Sequence, residues 1–95
     1  MYSKPRRNVI ESDEGFSVEI LGLTGLNYCE GEKCVRISSE LSAPWHATAM
    51  TVFRSSIHSW AGEYSSEIID DETREKIIEN IRSAFRWQRK EIEVL

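Results

Sequence analysis

Residues 71–88 carry the periodicity of an amphipathic helix, and this feature constrains the fold more than any other in the sequence. The apolar side chains of one arc, roughly 120° wide, form the face that would meet a core. They are Ile77, Ile78, Ile81, Ala84 and Phe85. Asp70 precedes the first turn as a suitable N-cap, and Asp71 and Glu72 follow where the helix dipole favours acids. Because one helix cannot bury this stripe by itself, we expect a sheet beneath it.

The sheet is predicted from short segments in which apolar and polar residues alternate. Residues 16–20 show this period of two, and residues 26–29 and 34–37 flank a turn at Gly31-Glu32. A two-residue II′ turn fits because glycine accepts the positive φ at its first central position. The register that follows has four pairs, which are Glu30 with Lys33, Cys29 with Cys34, Tyr28 with Val35, and Leu26 with Ile37.

Three later segments complete the predicted sheet. Residues 48–53 and 56–60 are rich in β-forming side chains, and residues 91–94 alternate as a closing strand. Pro44 lies in the connection before them, where it excludes regular ladder pairing. The pattern predicts an α+β fold, with an antiparallel sheet of five or six strands and one long C-terminal amphipathic helix packed on one face.

The length of the chain predicts one domain over residues 1–95, with residues 1–14 as a flexible N-terminal segment. Basic residues near the N-terminus have no apolar segment behind them, so the sequence shows no signal peptide. No apolar run approaches the ~20 residues that span a bilayer. We expect a cytoplasmic protein that has no membrane partner.

Charge is unevenly distributed along the sequence, in which an acidic body, residues 8–75, lies between two mildly basic ends. Residues 8–75 hold thirteen acids against four bases, and the net charge is −4. Such a body argues against direct nucleic-acid binding and can steer a basic partner, although solubility alone would also explain it. The helical arginines Arg82, Arg86 and Arg89 suit the helix dipole and do not by themselves indicate an RNA-binding strip.

Four residues of metal-ligand type are Cys29, Cys34, His46 and His58. Eleven residues separate the histidines, far more than in a zinc finger, so we predict no metal site. The hairpin register brings the cysteines opposite each other, and we expect two free thiols because the cytoplasm is reducing. No nucleophile elbow, glycine-rich loop or paired-carboxylate motif frames these residues, so we expect neither enzyme activity nor a cofactor.

Three segments together resemble a known family. They are residues 28–41, the run Ser56-Ile57-His58-Ser59-Trp60, and residues 69–81. They are similar to small immunity proteins of bacterial polymorphic-toxin and contact-dependent growth-inhibition systems. The resemblance implies a non-catalytic cytoplasmic protein that protects its own cell by binding a cognate toxin domain, often a nuclease. The family's tryptophan after a short strand corresponds to Trp60.

Carboxylates at hairpin tips and loops are expected to contact the partner, because turns place side chains in solvent. An aromatic side chain beside them would supply a desolvated anchor, and Trp60 lies nearest in sequence to Glu63. The predicted partner-binding residues are Glu30, Glu32, Glu40, Trp60, Glu63 and Glu67. Trp87 lies outside the apolar arc of the helix and either packs under a loop or stays exposed.

Two functions from other classes stay open at this point. One is a small regulatory or adaptor domain that binds another cellular protein. The other is a minimal toxin-type nuclease, which would be expected to carry basic charge for its substrate. The sequence does not predict the oligomeric state.

Overall fold

The computed structural model describes residues 1–43 and 45–95, so the role predicted for Pro44 lies outside the described residues. In this part of the chain, a seven-stranded sheet accompanies one α-helix, α1 (Asp71–Trp87). The strands are β1 (Tyr2–Arg6), β2 (Val9–Ser12), β3 (Phe16–Ile20), β4 (Gly25–Glu30), β5 (Lys33–Leu41), β6 (Met50–Val52) and β7 (Ile92–Val94). Their order in the sheet follows the chain. Neighbours from β1 to β6 pair antiparallel, and β7 pairs parallel to β6.

The hairpin of β4 and β5 has the predicted register, and all four predicted pairs are confirmed. Gly31 has a φ of 58°, as the first central position of the turn requires. Tyr28, Val35, Leu26 and Ile37 share the core face and are buried. The local pattern of alternation and turn chemistry was therefore sufficient to define this element.

Helix α1 begins at the predicted residue, ends one residue before the predicted end and buries the predicted face. Its N-cap Asp70 accepts a hydrogen bond from the Thr73 amide at 2.8 Å, and hydrogen bonding with Thr73 lowers the pKa of Asp70. The five predicted apolar side chains are all buried. Trp87 is 41% exposed and its ring centroid lies 5.8 Å from that of Tyr2, so it packs beside β1.

The sheet differs from the prediction in strand number and direction. Residues 1–14, expected as a flexible segment, contain β1 and β2. The Tyr2 hydroxyl donates to Ser83 Oγ at 2.7 Å, and Val9 and Ile10 are buried. The expectation of a purely antiparallel sheet was wrong for β7, because α1 returns the chain to the end where β6 begins. Such a crossover makes the next strand parallel.

The strand predicted at residues 56–60 was wrong, and the one predicted at residues 48–53 is reduced to β6. Arg54–Ser56 forms a 3₁₀ turn in place of a strand. The Ser56 hydroxyl accepts a hydrogen bond from the Ser38 amide at 2.9 Å and donates to the Phe53 carbonyl, which stabilises this turn. Side-chain hydrogen bonds of this kind offer the backbone an alternative to ladder pairing. Residues 57–60 contribute one isolated bridge, from Ser59 to Ile68.

Candidate partner-binding surface

The strand register gives the sheet two ends that carry different side chains. At one end, the β2–β3 turn meets the β4–β5 turn, where the Gly31 amide donates to the Gly15 carbonyl oxygen at 3.3 Å. The loop before α1 joins them, because the Ala61 amide donates to the Cys34 carbonyl oxygen at 2.7 Å. We call this region the hairpin end; it comprises residues 13–15, 30–33 and 60–67.

Lys33 connects the hairpin tip to the loop before α1. Its ammonium group donates to a Glu67 carboxylate oxygen at 2.7 Å and lies 5.4 Å from the ring centroid of Tyr64. The Tyr64 hydroxyl donates in turn to Glu32 Oε2 at 3.0 Å. The hydrogen bond to Glu67 raises the pKa of Lys33. These contacts fix two carboxylates and one cation in a common network.

Six carboxylates gather at the hairpin end. Four belong to the predicted partner-binding residues, which are Glu30, Glu32, Glu63 and Glu67. The sequence reasoning missed the other two, Asp13 and Glu14 in the β2–β3 turn. The run Asp13-Glu14-Gly15 is typical turn chemistry and could have identified them. Cations among these acids include Lys33 and the Met1 amino group, which lies 2.8 Å from Asp13 Oδ1.

The other two predicted residues occupy different environments. Glu40 is exposed on β5 but lies seven residues from Lys33, a distance of about 23 Å along an extended strand. Trp60 is only 7% exposed, and the Lys33 ammonium lies 6.0 Å from its ring centroid. The structure thus buries Trp60 within the hairpin end and places Glu40 towards the opposite end of the sheet.

Among the acids at the hairpin end, Glu30 is restricted by both burial and a hydrogen bond from the core. It is half-buried, and its carboxylate accepts a hydrogen bond from the Tyr28 hydroxyl at 2.6 Å. The same hydroxyl accepts from the Asn80 amide group at 2.9 Å. Burial, together with the hydrogen bond to Glu30, raises the pKa of Tyr28 well above its usual range. The contact links the hairpin end to α1 through the core.

The cysteines form a disulfide between Cys29 and Cys34, so the expectation of free thiols was wrong. They face each other across β4 and β5 with a Cα–Cα distance of 4.0 Å, which brings the sulfurs within bonding reach. The expectation of thiols rested on the compartment, whereas the hairpin register favours the bond. The disulfide is half-buried on the sheet face opposite Tyr28 and Val35, next to the hairpin tip.

Across residues 1–43 and 45–95, no group of three or more His, Cys, Asp or Glu side chains is placed to hold a metal ion. His46 and His58 are both exposed and belong to different loops. In the same described residues, no helix combines the length and apolar character needed to cross a membrane.

Residues 24–94 match the family described as Immunity protein 74. The match starts in the loop before β4, ends in β7 and covers more than half of the chain. No curated protein and no solved structure matches the chain. Because the matched segment includes the hairpin, the loop before α1, the helix and the closing strand, the chain belongs to the Immunity protein 74 family, the immunity proteins of toxin systems.

Proposed function

We propose that the chain neutralises a cognate toxin domain in the cytoplasm by binding it without catalysis, and that this toxin is a basic nuclease. Membership of an immunity protein family implies a toxin partner in general. The observation that carries the finer proposal is the concentration of six carboxylates at the hairpin end. A nuclease presents cations where nucleic acid binds, so an acidic surface complements it.

The carboxylates divide into two groups by how they are held. Glu32 and Glu63 are exposed and can meet an approaching partner, and within the described chain the Glu32 carboxylate accepts only the hydrogen bond from Tyr64. Glu30 is half-buried and bonded to Tyr28, and the exposed Glu67 is ion-paired with Lys33. Charges at the rim of an interface mainly raise the association rate, while buried pairs control dissociation. In this proposal the exposed acids steer encounter and Trp60 supports the surface from below. Glu40 would contact the toxin only if the interface extends along β5.

Reversing the two exposed acids tests the proposal. The double variant Glu32→Lys, Glu63→Lys spares Glu30, whose loss would disturb the core contact with Tyr28. We expect association with the toxin domain encoded beside this chain's gene to slow roughly tenfold at low salt, with a weaker dependence on ionic strength. Stopped-flow mixing measures both quantities.

A matched control makes the same change in net charge elsewhere. Glu75 and Glu93 are exposed on α1 and β7, and Glu75 bonds Arg54, whose amide donates to the Leu95 carbonyl beyond β7. The double variant Glu75→Lys, Glu93→Lys should leave the association rate within about twofold of the wild-type rate. An association rate that ignores both salt and the reversal at the hairpin end would show that the acids serve solubility alone.

A further inference from the structure

The end of the sheet opposite the hairpin end contains a cleft with two cations, Arg89 and Lys90, on one side. We call this end of the sheet the loop end; it comprises residues 21–24, 41–43, 45–49 and 88–91. The Ala49 amide donates to the Glu91 carbonyl oxygen at 2.7 Å, which fastens the loop after β5 to the turn after α1. Between them lies a cleft of about 350 Å³ whose lining includes His46, Arg89 and Lys90.

The charge of this cleft is not neutralised by its own acid. Glu91 also lines it, but its carboxylate accepts from Arg86 Nε at 3.1 and 3.2 Å. Neither Arg89 nor Lys90 forms an ion pair with any other residue that the structure describes. Two exposed cations therefore border an opening that can admit an anionic group.

Arg89 stands at a backbone position that favours glycine. It has a φ of 60°, and it is the one non-glycine residue with positive φ in the described chain. The Arg89 amide donates to the Arg86 carbonyl at 2.8 Å, and the Lys90 amide donates to the Phe85 carbonyl at 2.9 Å. This is the Schellman arrangement, in which glycine is usual because a Cβ is disfavoured there. The chain thus carries a guanidinium where a glycine would suit the helix end better.

An exposed aromatic ring accompanies the cations. Trp45 is 85% exposed and belongs to the loop that forms one wall of the cleft. On the same end, Leu23 is 73% exposed, and its carbonyl accepts from the amide of Leu41 at 3.3 Å. Tryptophan and arginine are the side chains that most often dominate binding energy at protein interfaces.

We propose that the loop-end cleft binds a carboxylate-bearing segment of the partner protein, with Arg89 contacting the carboxylate and Trp45 packing on the adjoining chain. This inference rests on the proposed function, because the partner is the cognate toxin domain. It adds a second contact, of opposite charge to the hairpin end. A planar guanidinium can bind a carboxylate through two parallel hydrogen bonds, which makes arginine suited to the role.

The substitution Arg89→Gly separates a binding role from a structural one. Glycine adopts a positive φ without the steric cost of a Cβ, so the variant should unfold at the same temperature as the wild type or higher. We expect its affinity for the toxin domain encoded beside the gene to fall about tenfold, measured by titration calorimetry. Arg89→Glu should weaken binding further by repelling the carboxylate. Arg82→Gln, which removes one charge from a helix residue outside the cleft lining, is the control and should stay within about twofold of wild type.

The outcomes are distinct for the two proposals. If Arg89→Gly is as stable as expected but binds as tightly as wild type, the cleft proposal is overturned. The role of the hairpin end is then judged by its own charge-reversal variant alone. If the wild-type chain does not bind the toxin domain, both proposals fail. A loss of affinity in Arg82→Gln equal to that in Arg89→Gly would also overturn the cleft proposal, since it would reflect net charge alone.

Discussion

Replacing Tyr28 with phenylalanine tests the polar contact beneath the hairpin end. The residue is fully buried, and its hydroxyl bonds to Glu30 at 2.6 Å and to Asn80 at 2.9 Å. A hydrogen bond to a charged group contributes about 1.5–3 kcal/mol, but Glu30 is half-buried and can recover part of this from water. We therefore expect Tyr28→Phe to lower the free energy of unfolding by about 1–2 kcal/mol. In a domain of this size the Tm should fall by about 5–15 °C.

High pH gives the same contact a second signature. Burial and the hydrogen bond to Glu30 raise the pKa of Tyr28, so the folded state resists ionisation of the phenol. A group whose pKa is raised in the folded state contributes stability that is present below its unfolded pKa, about 10 for tyrosine, and lost above it. Above about pH 10 the phenol ionises in the unfolded state but not in the folded state. The free energy of unfolding of the wild type should therefore fall by about 1.4 kcal/mol per pH unit.

Urea unfolding followed by circular dichroism at a series of pH values measures this slope. The Tyr28→Phe variant lacks the titrating phenol and should lose stability less steeply above about pH 10. Other groups titrate in the same range, so the difference between the two proteins isolates Tyr28. The reasoning is refuted if the two proteins lose stability in parallel there.

Two further predictions concern the core and the disulfide. Ile81 is fully buried on α1, and Ile81→Ala should lower the free energy of unfolding by about 2–5 kcal/mol in urea titrations; an unchanged midpoint would mean that the helix buries another face. The disulfide spans a sequence separation of five residues, so replacing both Cys29 and Cys34 with serine should cost about 2 kcal/mol through loop entropy. Dithiothreitol should bring the wild type to the same stability, and two thiols detected by alkylation of the native, untreated protein would contradict the bond.

The hairpin and the helix could be predicted because local rules specify both. A glycine turn and alternating apolar residues set the register of β4 and β5, and an N-cap with a 3.6-residue stripe set α1. Strand β1 had no comparable local signal, since most of Tyr2–Arg6 is exposed. Its contacts with Ser83 and Trp87 join residues more than eighty positions apart in sequence, beyond any local pattern. The direction of β7 likewise depends on the path of the helix.

The candidate site could be predicted only in part, for a similar reason. Turn chemistry indicated that acids would project from the hairpin tip and from the loop before α1. It did not indicate that these two segments meet, because their contact depends on bonds from Lys33 to Glu67 and from Ala61 to Cys34. No local pattern in the sequence indicated the positive φ of Arg89. The sequence grouped Arg89 with Arg82 and Arg86 as helical arginines, whereas the helix ends at Trp87 and Arg89 has a positive φ.

Concentrating like charges at one end requires a scaffold that resists their repulsion. The disulfide closes the hairpin behind its tip, and the Ala61 amide fastens the adjacent loop to Cys34. Lys33 offsets part of the negative charge, and its bond to Glu67 raises the pKa of the ammonium. Side chains that are already ordered lose less entropy when a partner binds. In the function proposed above, this order would reduce the entropy lost on binding, because part of the ordering is completed when the chain folds.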